Sequence, residues 1–254
     1  MFVACSTLCY SHLSFDEALE HIAELDFTKV DLAIYPGSPH LTPADVLADP
    51  VRVARRIRQH ASLVPAVITA EFHLDDAQTA EQEYRAVCKL ARLLAVSTLT
   101  TIAAPAGADF ETEVRRLQHW VQIAASEGLV LTIATRIGTL TEIPEVAVRL
   151  CERVPGLFLT LDPSHYICGP NQNRPYDQVY PYVRHVQLRD SGRTPDKLQV
   201  RVGQGEIEYS RVVSQLERYH YDRGLSVEIM DAPNLPFVMD TEVRKLKYLL
   251  ESLV

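Results

Sequence analysis

Eight short apolar runs, spaced roughly 30 residues apart and separated by amphipathic charged stretches, constrain this chain more than any other feature. They are Phe2 to Thr7, Lys29 to Ile34, Leu63 to Ala70, Thr98 to Ala103, Leu129 to Ala134, Leu157 to Leu161, Val183 to Leu188 and Leu225 to Ile229. Most are continuously apolar rather than alternating, which is the pattern of parallel strands covered on both faces. The stretches between them carry helix signals. Ser14-Phe15-Asp16-Glu17 fits a capping box, followed by an inward face of Ala18, Leu19, Ile22 and Leu25. Thr42-Pro43 opens another helix with Pro at its first position. Asp109 to Glu127 reads as a long helix ended by Gly128, and Thr241 to Leu253 as the last one.

Alternating strands and helices suit an open doubly wound sheet or a closed (β/α)8 TIM barrel. The count of eight favours the barrel, and so does the lack of a G-x-G-x-x-G after the first strand. The 254 residues fit one such domain over 1–254, since these barrels run to about 250 residues. Apolar residues, at 47%, are enough for its core.

A formal net charge of -8 disfavours non-specific binding to nucleic acid or anionic membrane, both of which draw on Lys/Arg excess. The start lacks a basic segment followed by a long apolar run, and no stretch nears the roughly 20 residues of a membrane helix. The five cysteines, Cys5, Cys9, Cys88, Cys151 and Cys168, are odd in number and form no C-x-x-C. A reduced, cytoplasmic protein is expected.

On a barrel, functional groups sit just past the strand ends at the C-terminal mouth. Strand six runs into Asp162-Pro163-Ser164-His165, a carboxylate and an imidazole three apart at a turn; capping of the turn is the alternative role for Asp162. Glu228 lies in the apolar eighth run, where it needs a cation, a metal or a proton. Alternation along strand seven puts His185, Gln187 and Arg189 on one face. Gln187 can accept from a substrate hydroxyl or sit weakly on a metal. Arg189 can bind an anion or pair with Asp190, and His185 reads as a supporting group. Arg136, past strand five, is a candidate anion clamp, with solvent exposure as the alternative. Glu71 and His73 past strand three, and His40 past strand two, are further candidates against a plain loop role. Arg52, Arg55, Arg56 and Arg58 spread around a polar helix face and read as solvated. The loosest segments, Cys168 to Tyr176 and Ser191 to Gly205, both follow strands and belong at the mouth.

Several of these runs resemble a known family. Gly156 to His165, Tyr182 to Asp190, Val202 to Ile207 and Leu225 to Ile229 look like motifs of the xylose isomerase-like barrel superfamily, of the sugar phosphate isomerase/epimerase type and related to family 2 AP endonucleases. Ser14 to Asp31 also resembles that family's first helix and second strand. The resemblance implies one divalent metal held by a Glu after strand five, an Asp on strand six, a His on strand seven and a Glu on strand eight. Carried over, the Asp is Asp162 and the last Glu is Glu228. The His falls on Gln187 and the first Glu on Ala134. Metal ligands would then be Asp162, Glu228 and Gln187, with Mg²⁺, Mn²⁺ or Zn²⁺ held weakly or not at all.

Without a carboxylate at position 134, two-base epimerisation is disabled by that route. A one-base reaction survives, with Glu228 abstracting a proton α to a carbonyl and Asp162 and His165 completing the catalytic set. Arg136, Gln187, Arg189, His73 and Glu71 are the substrate-binding candidates. The expectation is an isomerase or lyase acting on a small polyhydroxy carbonyl compound in carbohydrate metabolism. A metal-free binding protein on the same barrel is the alternative, and an endonuclease the weakest reading. The expected partner is a polyol or sugar-like molecule, with a homodimer as the one assembly considered. If Ala134 and Gln187 are losses, Ala134→Glu with Gln187→His should rebuild the metal site, with Arg136 as the nearest competing cation.

Overall fold

A computed structural model describes residues 1–254 other than Asn173 and Asn234. Asn173 belongs to the segment Cys168 to Tyr176 read above as loose, and that part of the reading lies outside the described residues. The strands are β1 (Phe2–Ser6), β2 (Lys29–Ile34), β3 (Val64–Ala70), β4 (Thr98–Ile102), β5 (Val130–Ala134), β6 (Leu157–Leu161), β7 (Val183–Leu188) and β8 (Gly224–Val227). Each pairs in parallel with the next, and β8 returns to β1, closing the barrel. The helices are α1 (Phe15–Glu24), α2 (Pro43–Ala48), α3 (Pro50–Arg58), α4 (Ala77–Leu93), α5 (Phe110–Ser126), α6 (Pro144–Arg153), α7 (Pro163–Cys168), α8 (Tyr209–Arg218) and α9 (Met239–Glu251). The fold is a (β/α)8 TIM barrel. Among the described residues no helix is long and apolar enough to cross a membrane.

Local chemistry sets the boundaries. Ser14 accepts from the Glu17 N–H while the Glu17 carboxylate accepts from the Ser14 N–H, so α1 opens on a reciprocal cap. β1 stops at Ser6 rather than Thr7, because the Ser6 hydroxyl accepts from the Leu8 N–H and turns the chain into a short 3-10 helix. β8 ends at Val227, so Glu228 lies one residue past the strand instead of inside it. Its N–H still bonds the Leu188 carbonyl at 2.9 Å, which keeps it in register with β7.

Outward strand residues such as Leu32, Ile68, Leu99 and Leu159 are fully buried beneath the helices. Truncating one to Ala would cost about 2–5 kcal/mol through lost transfer energy and the cavity left behind. Trp120 is core, stacked on Tyr84 with ring centroids 4.1 Å apart. Inside the barrel Thr100, Thr132 and Thr160, from β4, β5 and β6, hydrogen-bond one another at 2.8–2.9 Å. Their buried hydroxyls satisfy each other, as buried polar groups must.

Candidate active site

A cavity of about 430 Å³ opens at the C-terminal ends of the strands. Its lining includes Asp162, His165, Gln187, Arg189, Glu228, Glu71, Arg136 and Ala134. The structure therefore brings together every proposed site residue except His73, which stands exposed on the loop after β3, outside the lining. The turn after β3 sends Glu71 inward and His73 out, a split that sequence spacing alone does not reveal. His40 is also elsewhere: its Nε2 lies 3.2 and 3.1 Å from the carbonyls of Tyr10 and Leu13, a structural role.

The centre of the cavity is a guanidinium between two carboxylates. Arg189 donates from Nη2 to Asp162 Oδ2 at 2.6 Å and to Glu228 Oε1 at 3.3 Å. All three side chains are buried. β7 places Arg189 on the inward face two residues after Gln187, as alternation predicted, but its partner is not Asp190. The Asp190 carboxylate instead accepts from the N–H groups of Ser191, Gly203 and Gly205 at 2.7–3.1 Å. That latch pins the segment after β7 across the mouth. It also requires glycine at 205, where a Cβ would stand 2.1 Å from Asp190 Oδ1. Only one of the Arg189 nitrogens is used: Nε and Nη1 are buried without a partner among the described residues. Donors left bare in this way are costly unless something polar binds them.

The two carboxylates on this guanidinium differ in character. Asp162 caps α7, its Oδ1 accepting from the Ser164 N–H at 2.9 Å and the Ser164 hydroxyl at 2.5 Å. It thus performs the turn-capping role and faces the cavity as well. Burial would raise its pKa, but Arg189, His165 and Ser164 together hold it below the ordinary carboxylate range. Glu228 accepts at Oε2 from the Gln187 amide at 2.7 Å. Burial, helped by the charges of Asp31 and Asp162, outweighs Arg189 and raises its pKa to about 8. His165 is pushed down to about 4, first by burial and then by Arg189 and Arg136 against the pull of Asp162. Its Nδ1 accepts from the Ile137 N–H at 3.3 Å, so the neutral ring carries its proton on Nε2, 3.5 Å from Asp162 Oδ2.

A second polar cluster lies one strand position deeper; the sequence reading names His185 there as a supporting group but misses its centre, Asp31. Asp31 on β2 accepts from Thr69 Oγ1 at 2.9 Å, faces His185 Nε2 at 2.9 Å and lies 3.4 Å from Gln187 Nε2. Ser226 also contacts His185 Nε2, at 3.2 Å. The signal for Asp31 was present: a carboxylate inside the apolar run Val30 to Ile34, the same cue that marked Glu228. Gln187 joins the clusters by donating to both carboxylates. On the opposite side of the mouth Arg136 is ion-paired with Glu71, so two candidates occupy each other.

The family model for the xylose isomerase-like TIM barrel matches residues 19–249. The chain belongs to that family. No curated protein matches it. Among solved structures it is similar to the probable 3-DHS dehydratase AsbF of Bacillus anthracis, which is involved in petrobactin synthesis: 15% identity, 99% of each chain covered, TM-score 0.77. It is also similar to the D-allulose 3-epimerase of a Methylomonas species, at 14% identity over 100% of this chain and 98% of that one, TM-score 0.78. A third is a xylose isomerase-like barrel protein from Mycobacterium smegmatis in complex with magnesium, at 15% identity over 99% and 97%, TM-score 0.75. At these identities the structural likeness speaks to fold.

The donor set here does not suit the divalent ion that such a barrel implies. Ala134, at the end of β5, offers no ligand atom. Gln187 turns its amide nitrogen, not its oxygen, toward Glu228. Arg189 Nη2 stands where a cation shared by Asp162 and Glu228 would be held. Among the described residues no three His, Cys, Asp or Glu side chains are grouped to hold a metal ion.

Proposed function

We propose that this barrel moves a proton α to the carbonyl of a small oxygenated compound, as an isomerase or lyase, with the Arg189 guanidinium in place of a metal ion. The observation that carries this reading is the buried guanidinium of Arg189 in the cavity lining, shared by Asp162 and Glu228, with Nε and Nη1 unpartnered among the described residues. Those N–H groups can hold a carbonyl oxygen and stabilise the charge it acquires as an enolate forms. Glu228, with a pKa near neutrality, has the acid–base strength that proton transfer at physiological pH requires. Asp162 stays ionised and fixes the guanidinium. His165 offers a neutral N–H.

In the forward step Glu228 takes the α-hydrogen as a proton, and the C–H electron pair becomes the enolate double bond. For isomerisation the proton returns to the former carbonyl carbon, while the hydroxyl on the α-carbon passes its proton to the former carbonyl oxygen and becomes the new carbonyl. Alternatively a β-hydroxyl leaves with that proton as water, which is dehydration. Ala134 provides no second base on the opposite side, which favours these one-base outcomes over epimerisation. The similarity to a dehydratase and to a sugar epimerase supports the same chemistry.

The test is hydrogen exchange. Incubation with small hydroxy-carbonyl compounds in D₂O should load deuterium at the α-carbon, read by NMR. The rate should rise with pH through about 8 as Glu228 ionises, and Glu228→Gln should abolish it. Binding without exchange in the wild type would make the protein a ligand-binding barrel instead.

A further inference from the structure

Resting on that reading of Glu228, we propose that Asp31 is a positioning residue for the proton transfer. It holds the Gln187 amide with its nitrogen on Glu228 and its oxygen open to the cavity. The proton that Glu228 takes is thereby confined to one carboxylate oxygen, Oε1, and the ligand meets a fixed acceptor at Gln187 Oε1.

The argument follows the direction of each hydrogen bond. Asp31 lies wholly buried on the inner face of β2, and as a carboxylate it only accepts. Thr69 on β3 donates to its Oδ1 at 2.9 Å. A hydroxyl has a single proton, so the Thr69 oxygen can only accept from its other neighbour, Gln187 Nε2, at 3.1 Å. Asp31 Oδ2 faces the same nitrogen directly at 3.4 Å, and Glu228 Oε2 lies 2.7 Å from it. Three acceptors therefore surround one amide nitrogen. Turning the amide over would set its oxygen against two carboxylates and a hydroxyl lone pair. His185 fixes Asp31 in turn. Its Nδ1 is buried without a partner among the described residues, so the ring carries its proton on Nε2, 2.9 Å from Asp31 Oδ2.

The other end of the amide is open. Gln187 Oε1 accepts no hydrogen bond among the described residues, is not one of their buried polar atoms left without a partner, and belongs to a side chain that lines the cavity. It can accept from a ligand O–H or N–H.

The hold matters once Glu228 has taken a proton. A carboxyl protonated on Oε2 would set its O–H against the Gln187 N–H, and an unrestrained amide would turn over to accept it. Asp31 and Thr69 still require the nitrogen on their side, which leaves the proton to Oε1. That oxygen has the looser partner, Arg189 Nη2 at 3.3 Å, and Nη2 keeps Asp162 at 2.6 Å. The Oε1–H bond that forms as the substrate C–H bond breaks is then the same bond that breaks when the proton is returned.

The test reads the Gln187 side-chain amide by NMR of the isotope-labelled full chain, with its signals assigned by their loss in Gln187→Met. In the wild type its two protons should exchange with solvent about a hundredfold more slowly than those of free glutamine. Asp31→Asn has one carbonyl oxygen for the two donors His185 and Thr69, and it should speed that exchange by about tenfold. Thr69→Val breaks the same chain of bonds and should do likewise if Asp31→Asn does not fold, whereas Thr69→Ser keeps the hydroxyl and should stay slow. Wild-type protons that exchange as fast as free glutamine, or an unchanged rate in folded Asp31→Asn, overturn the proposal. The effect on the step is read as deuterium uptake into dihydroxyacetone in D₂O, where Asp31→Asn should lower kcat by about tenfold and move KM by less. An amide set free with no fall in kcat overturns the positioning role and leaves the reading of Glu228 standing. No uptake by the wild type, with the amide held and released as expected, sinks the reading of Glu228 and leaves the fixed acceptor at Gln187.

Discussion

The two sides of the barrel mouth both carry an arginine and a carboxylate, yet they are built on opposite principles. On the β6–β8 side, Asp162, Arg189 and Glu228 are buried at strand ends and share their charges away from the surface. On the β3–β5 side, Arg136 and Glu71 pair at the rim, with side-chain exposures of 41% and 33%, beside the bare methyl of Ala134. Coulomb attraction that water screens at the rim is several times stronger in the interior, and so is the penalty for breaking it. The difference is why the proposed chemistry is assigned to one side. The buried side holds a perturbed acid, a fixed cation and spare donors, while the rim side holds a solvated pair that neutralises itself.

The sharpest way to break the contrast is Arg189→Met. With the guanidinium gone, Asp162 and Glu228 are left close together and uncompensated. The expected loss is about 3–5 kcal/mol, as for other broken buried pairs. Urea denaturation should show it in the midpoint at unchanged slope. The loss should shrink toward pH 5, where the orphaned carboxylates can take up protons. A loss below about 1 kcal/mol at pH 8 would mean that the triad is not the buried ion cluster described here.

Next in size is the response to metal. The sequence suggested that Ala134→Glu with Gln187→His would rebuild a divalent site, with Arg136 as the competitor. The structure moves that obstacle to Arg189, because Arg136 is already bound to Glu71 while Arg189 stands between the two retained ligands. The double variant alone should therefore bind Mn²⁺ no better than the parent. Adding Arg189→Ala should open the site and give a Mn²⁺-dependent stabilisation of about 2.7 kcal/mol at 100 times the dissociation constant. Tight Mn²⁺ binding by the double variant, seen by calorimetry, would show that the guanidinium yields its place readily.

A third effect follows from Glu228. Its pKa is about 8 in the folded protein against a reference value of 4.5. Between those limits the folded state holds a proton that the unfolded state has lost, so stability falls as pH rises through the window and levels off above about 8. Glu228→Gln removes that slope. Its stability relative to wild type should improve by roughly 1 kcal/mol per pH unit between pH 5 and 8. A difference that stays flat with pH would mean that Glu228 ionises normally.

These contrasts were only partly legible in the sequence. Barrel closure was, because eight continuously apolar runs at regular spacing leave few other ways to bury both strand faces. Asp162 and Glu228 were, because a charge inside or just after an apolar strand requires a partner. Asp31 gave the same signal, and its meaning emerges only when β2 and β7 face each other across the barrel and His185 meets it. For Arg189, alternation supplied the face but not the partner. Its neighbour Asp190 was as plausible as Asp162, 27 residues away along the chain, until the glycine turn at 203–205 claimed the Asp190 carboxylate. Partner choice among charges depends on backbone geometry several residues off, and composition and spacing do not encode it.

The smallest effect concerns the rim, and it tests whether that side is dormant or simply inert. Arg136→Gln removes one partner of a solvated pair, so stability should fall by no more than about 1 kcal/mol, less still in high salt. Affinity for a monoanionic ligand should change little, because Glu71 already cancels the charge on Arg136. Glu71→Gln is the informative counterpart. It frees the Arg136 guanidinium at the edge of the same cavity and gives the lining a surplus cation that it lacks in the wild type. Affinity for D-fructose 6-phosphate should then rise by about fivefold at low salt and return toward the wild-type value as salt screens the exposed guanidinium. D-fructose should not respond. If both ligands gain equally, Glu71 acts by blocking space rather than by charge, and the electrostatic difference between the two sides of the mouth is not what selects the ligand.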